Sequence, residues 1–294
     1  MNSVIQVSQE VADALAQGRP VVALETSIVG QGLPAPHNLR AAHESEAAIR
    51  TGGAVPASVA VLDGKVRVGL TAGELDRVAS GAIKVSSRDL GHAIAHGDVG
   101  ATTVAPTMRV AAMAGIRFFA TGGIGGVHRG HPEDQSADLV ELGRIAVAVF
   151  CAGAKIILDL RLTLERLESL AVPVLGYSCD EFPAFYTRHS GYPVSARVDG
   201  PQDAALVLRA AWATGSRGIV VAIPPPAELD GAEEITKRAV RELADAAGPE
   251  VTPRILARVA ELSQGRSLNL NVDLVVNNAR IAAQVALQHS VSQS

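Results

Sequence analysis

Between Val147 and Leu158 the chain reads VAVFCAGAKIIL, and Lys155 is the only charge in it. An apolar run, Val147 to Phe150, stops at the small residues Cys151-Ala152-Gly153-Ala154, and apolar chain resumes at Ile156. Short β-branched runs ending at glycine read as a buried strand that leads into a turn. Burying an unpaired ammonium is costly, so apolar surroundings favour a neutral amine. That form attacks a carbonyl-like carbon at neutral pH. The competing reading is a lysine that snorkels to solvent from a strand end, since lysine is seldom truly buried.

Other chemistry-bearing residues also follow apolar runs. Glu25 ends Pro20-Val-Val-Ala-Leu24, where it serves either as a general acid or as a solvated strand end. Lys84 sits in Ile83-Lys84-Val85, and glycines crowd Gly122 to Gly126. The glycine run lacks G-x-G-x-x-G spacing, with His128 where the third glycine belongs, so a dinucleotide fingerprint is rejected. It remains either a turn that lets backbone approach a ligand or a plain tight turn. Asp134-Gln-Ser-Ala-Asp138 offers two carboxylates and a hydroxyl at a helix start. Hard oxygen donors suit Mg²⁺ or Mn²⁺ over Zn²⁺, while the bland reading is an acidic helix N-terminus capped by Ser136. His128-Arg129 could bind an anion or sit on the surface. In open α/β sheets ligands bind beyond the carboxyl ends of the strands. If the strands are parallel, Glu25, Lys84, the glycine run and Lys155 converge on one crevice.

The elements that would hold these residues follow from periodicity. A helix opens the chain at Val7, Val11 and Leu15, with Ser8 as cap. Residues 58–62 and 65–70 flank Asp63-Gly64, a strong hairpin signal. Thr71 caps a helix, Ser87 caps the one carrying His92 and His96, and Ser136 opens another. After Pro224-Pro225-Pro226 only helices are expected: Ala232 to Ala247, Pro253 to Leu262 and Leu274 to Gln288. The expected fold is therefore α/β: a mostly parallel sheet flanked by helices, with a hairpin near residues 58–70 and a helical C-terminal segment. No internal repeat or low-complexity linker divides it, so residues 1–294 read as a single α/β domain.

Composition agrees. Of 294 residues, 48% are hydrophobic and only 3% aromatic, so the core is aliphatic, as in parallel sheets. A net charge of −4 and the scarcity of aromatics argue against a nucleic-acid surface. Cys151 and Cys179 have no metal-binding or disulfide spacing. There is no signal-peptide pattern and no apolar run of membrane-spanning length, so a cytoplasmic protein with no membrane partner is expected.

Taken together, the segments ALETSIVGQGLPAPHN, GAVPASVAVLDG, KVSSRDL, GATTVAPTM, FATGGIGGVHRG, SADL, FCAGAKIILDL, PVLGY and LVVNNA resemble the pseudouridine-5′-phosphate glycosidase (indigoidine synthase A) family. The resemblance runs from about Val21 to Ala279 with order and spacing preserved. It implies reversible cleavage of the C–C glycosidic bond of pseudouridine 5′-phosphate to uracil and ribose 5-phosphate. It further implies Lys155 as covalent nucleophile, forming an imine, and Glu25 as proton donor. Lys84 and Val104 would line the substrate, Ser136, Ala137 and Asp138 would lie against it, and Asp134 would bind Mn²⁺. His128 and Asn278 fall in matching blocks. A homotrimer is implied as well. This chain reads ETS where EST is expected, and its HPEDQ stretch is a little short. An aldolase-like lyase would also use a strand-end lysine on a sugar phosphate. A non-catalytic nucleotide binder would survive loss of that lysine.

Overall fold

The computed structural model describes residues 4–243 and 251–291. Strand β1 (Ile5–Val7) precedes α1 (Gln9–Ala16), whose N-cap Ser8 accepts from the Val11 N–H. Val7 therefore belongs to a strand and not to the opening helix, because it pairs with Val68. There follow β2 (Val21–Leu24), a π-helical turn at Ile28–Gly32, and α2 (His37–Thr51). Next come β3 (Val55–Leu62) and β4 (Lys65–Val68), joined by Asp63-Gly64 with both residues at positive φ, as a tight hairpin turn requires.

A capping box at Thr71 and Glu74 starts α3 (Ala72–Ala79). Then come β5 (Ile83–Val85), α4 (Leu90–His96), β6 (Gly100–Thr102), α5 (Val104–Met113) and β7 (Phe118–Ala120). The N-cap of α4 is Asp89 and not Ser87; Asp89 also accepts from the Ser86 N–H, which folds the SSRD turn around the carboxylate. After the glycine run comes a hairpin, β8 (Val127–His128) and β9 (His131–Gln135), then α6 (Ala137–Leu142) capped by Ser136. The chain continues through β10 (Ala148–Cys151), β11 (Leu158–Asp159), α7 (Leu160–Ser169), β12 (Val174–Tyr177), β13 (Ala196–Val198), α8 (Pro201–Ala213) and β14 (Ile219–Ala222). It finishes in α9 (Ala232–Glu242), α10 (Val251–Leu262) and α11 (Arg266–Val291). The far end of the first expected C-terminal helix, residues 244–247, lies outside the described residues. The last helix begins at Arg266, eight residues before Leu274.

The eleven-stranded sheet runs β1-β4-β3-β2-β7-β10-β14-β12-β13, with β6 on β3 and β5 on β6. From β3 through β2, β7, β10, β14, β12 and β13 every pairing is parallel. Only β4 and β6 oppose β3. A small antiparallel sheet, β11-β8-β9, stands beside it. Helices α1, α4 and α5 cover one face, and α2, α8 and α11 the other. Covering both faces is what buries β2, β3, β10 and β14 along their whole length. Among the described residues no helix is long and apolar enough to cross a membrane.

Candidate active site

The parallel register delivers the acid and the lysine to one place. Leu24 of β2 pairs with Ala120 of β7, so Glu25 and Thr121 leave the sheet side by side. Ala120 in turn pairs with Phe150 of β10, the strand that leads to Lys155. Glu25 accepts hydrogen bonds on both carboxylate oxygens, from the hydroxyls of Ser27 and Thr121. Burial pushes the Glu25 carboxyl above its usual range, against the opposing pull of the Lys155 charge and of the two hydroxyls; Asp138 adds to the upward push.

Lys155 is itself only half-buried. Its apolar neighbours Ile156, Ile157 and Leu158 turn into the core, while its own side chain lines the cavity. The turn that aims it is fixed by backbone: Ile124 N–H donates to Gly153 O at 3.0 Å, and Lys155 N–H to Ile124 O at 3.1 Å. Gly153 has φ +81°, and a Cβ there would stand 2.0 Å from the Pro183 carbonyl oxygen, so only glycine fits. Cys151, two residues before it, is fully buried and its thiol is pushed up to about 12 by burial, which keeps it protonated and inert.

Lys155, Lys84 and Thr103 stand where two chambers meet. One chamber is walled by Glu25, Ser27, Gln31, Thr121, Phe185 and Asn271, a mixture of amides, hydroxyls and one aromatic face. The other is walled by Arg88, Arg109, His128 and Ser136 together with Asp89, Asp134, Asp138 and Glu141, and is the more highly charged, with both signs present. A flat polar ring suits the first, and the second offers arginine donors to an anionic group and carboxylates to a cation. Lys84 does not stand past the end of a parallel strand as the sequence suggested. It lies within β5, which joins the sheet through β6, the strand antiparallel to β3.

Asp138 is 5% exposed and holds the site together. Its two oxygens accept from Ala105 N–H at 2.9 Å and Gly125 N–H at 2.7 Å, tying α6 to the start of α5 and to the glycine run. A Cβ on Gly125 would meet Ser136 Oγ at 2.2 Å. At this glycine the close approach is made by the protein's own side chain. Ser136 and Ala137 do line the second chamber with Asp138.

The donor set decides what form of metal the site could take. Asp138 is already committed to two backbone N–H groups, and Glu141 is paired with Arg109. Among the described residues no group of three or more His, Cys, Asp or Glu side chains could hold an ion. Asp89 accepts from the Ser86 N–H and pairs with Arg88, which leaves Asp134, exposed on β9, as the carboxylate that remains in this wall. A single hard ligand fits an ion that keeps most of its water and shares the rest of its shell with substrate.

Two expected substrate contacts are placed differently. The Val104 side chain is fully buried in the core at the first turn of α5, and its neighbour Thr103 lines the cavity instead. Asn278 is 1% exposed and donates to Thr121 O at 2.8 Å and Gly122 O at 3.4 Å, so it positions the end of β7. The sequence reading missed Ser27, Thr121 and Asn271. For the first two the sequence holds no pattern, and only the pairing of β2 with β7 sets Thr121 beside Glu25.

The family described as "Indigoidine synthase A like protein" matches residues 10–288. A pseudouridine-5′-phosphate glycosidase of Nocardioides sp. is 51% identical over 297 aligned residues, covering 97% of each chain. The crystal structure of the prealnumycin C-glycosynthase AlnA in complex with ribulose 5-phosphate superposes with a TM-score of 0.90 at 37% identity, over 100% of this chain and 99% of that one. An indigoidine synthase A-like protein from Thermotoga maritima gives a TM-score of 0.90 at 30% identity, over 97% of this chain and 96% of that one.

Proposed function

Since the chain belongs to the indigoidine synthase A-like family, we propose that it reversibly cleaves the C–C glycosidic bond of pseudouridine 5′-phosphate to uracil and ribose 5-phosphate. The observation that carries the reading is the meeting of Glu25 and Lys155 where a chamber of amides and hydroxyls joins one rich in charges of both signs. The names of the relatives support it, as does a neighbouring fold with a pentose phosphate bound. Uracil belongs in the first chamber and the sugar phosphate in the second, which puts C1′ beside Lys155.

A C-glycoside lacks the heteroatom whose protonation lets an N-glycoside leave, so the sugar must carry the reaction. Glu25, protonated, donates to the ribose ring oxygen as the C1′–O bond breaks. The Lys155 amine bonds to C1′ and loses a proton. Its nitrogen lone pair then expels uracil as a proton is added to the ring carbon, leaving a lysine iminium of open ribose 5-phosphate. Water hydrolyses the iminium and frees the amine. A carboxyl held above its usual range suits the opening step, because the acid must carry its proton near neutral pH. Mn²⁺, held by Asp134, would supply a positive centre that organises water and phosphate oxygens in the second chamber. The reading extends to one catalytic domain over residues 1–294, assembled as a homotrimer in the cytoplasm.

Incubation with pseudouridine 5′-phosphate and Mn²⁺ should release uracil, and pseudouridine without its phosphate should react far more slowly. Chelation should stop the reaction, and Asp134→Ala should be folded but insensitive to added Mn²⁺. Wild-type enzyme that releases no uracil under these conditions sinks the reading.

A further inference from the structure

Glu25 borders a second and much smaller space. A cavity of about 20 Å³ lies between the ends of β2 and β7 and the helix α2, bounded by Glu25, Thr121, Ser45, Ser58, Val29 and Val275. That is room for one water molecule, provided polar partners surround it. They do. Ser45 is 1% exposed, and its Oγ has no protein partner among the described residues, a state that buried hydroxyls rarely keep. Ser58, 2% exposed on β3, donates from Oγ to Oε1 of Glu46 at 2.5 Å and can still accept a second hydrogen bond. Glu46 follows Ser45 on α2 and is half-buried.

We propose that one water held by Ser45 and Ser58 links Glu25 to Glu46, which exchanges the Glu25 proton with solvent while substrate or product fills the chamber in front. The proposal rests on the function given above. Glu25 spends its proton on the ring oxygen at the start of each turnover and must regain one before the next. In the relay, protonation of Glu46 by solvent reverses its hydrogen bond to Ser58, the serine hydroxyl turns to the water, and the Glu46 carboxyl gives its proton to Ser58 Oγ. The serine passes its own proton to the water, and the water passes one of its protons to the Glu25 carboxylate. The serine and the water emerge unchanged, Glu25 is protonated, and Glu46 is left ionised until solvent protonates it.

The groups facing Glu46 are Ser58 on β3, His43 and Arg50 on α2, and Glu10 on α1. Burial outweighs the serine, His43 and Arg50 and holds the Glu46 carboxyl above its usual range, as burial does for Glu25. Both ends of the relay are thus shifted the same way, which keeps the transfer between them from running steeply uphill.

The test compares kcat, KM and the solvent deuterium isotope effect of wild type with Glu46→Gln, Ser58→Ala and Ser45→Ala. Glutamine still accepts from Ser58 but cannot pass a proton. Glu46→Gln should lose roughly fivefold or more in kcat with KM unchanged and a larger isotope effect, and small carboxylic acids such as formate should restore part of the rate. Ser58→Ala should behave alike, and Ser45→Ala should lose less. Borohydride trapping of ribose 5-phosphate on Lys155 in each variant would show that the front of the site is intact. A kcat and isotope effect within about twofold of wild type in both Glu46→Gln and Ser58→Ala would overturn the relay. So would a high-resolution crystal structure with no water in contact with Ser45 Oγ and Ser58 Oγ. If wild type never releases uracil, the functional reading fails, and the relay is then decided by that water alone.

Discussion

The lysine and the glutamate were visible in the sequence because each interrupts an apolar run, where charge needs a reason. Ser27 and Thr121 were not, since a hydroxyl beside a strand end has no pattern until the register puts it against Glu25. Their bonds favour the ionised acid, yet burial outweighs them. The consequence for stability has a definite sign. Between the ordinary value of 4.5 and its raised folded value, Glu25 binds more proton folded than unfolded, so its contribution to stability falls as pH rises through that window. Glu25→Gln should therefore melt higher than wild type at pH 8, with the gap closing toward pH 4, while losing turnover. In wild type, kcat/KM should decline as pH climbs through the same raised value. For Lys155, borohydride with ribose 5-phosphate should leave one sugar-phosphate adduct on its peptide. Lys155→Ala and Lys155→Arg should both lose the adduct and turnover, because guanidinium is not a nucleophile at neutral pH. An adduct on Lys84 would mean that the two lysines have been exchanged.

Most elements were legible, and the start of the last helix was not. The first eight residues of α11, RSLNLNVD, show no apolar stripe of helical period, because polar residues there face inward. Asn271 is 7% exposed, donates to the Tyr186 hydroxyl at 3.1 Å and lines the first chamber. A helix that presents amides to a site looks like loop in the sequence. The same helix carries Asn278, whose two bonds hold Thr121 and Gly122. Asn278→Leu should leave the chain folded but about 1–3 kcal/mol less stable, since the strand-end carbonyls lose their donor. It should lower kcat more than it raises KM, because Thr121, and with it Glu25, loses its fixed position. Equal losses in ligand-free stability with unchanged kcat would make the residue purely structural.

At the scale of the whole molecule, the expected crevice depended on one condition, that the strands be parallel, and β2, β7 and β10 meet it. The sequence could not place Lys84, since nothing in IKV reveals that its strand reaches the sheet through an antiparallel neighbour. The two ends of the second chamber are also anchored very differently. Lys155 follows β10, which is buried at every residue between β7 and β14. Asp134 lies on β9, exposed at every residue and paired only to β8 across an irregular register. Amide hydrogens of β10 should exchange only through global unfolding, whereas those of β9 should exchange through local fraying. In rising urea the protein should accordingly pass through a window where the hairpin has opened and the central strands have not. There the lysine would still be trapped by borohydride, but added Mn²⁺ would no longer raise the rate. Hydrogen-exchange mass spectrometry alongside both assays would show whether the capacity to form the imine outlives the response to metal.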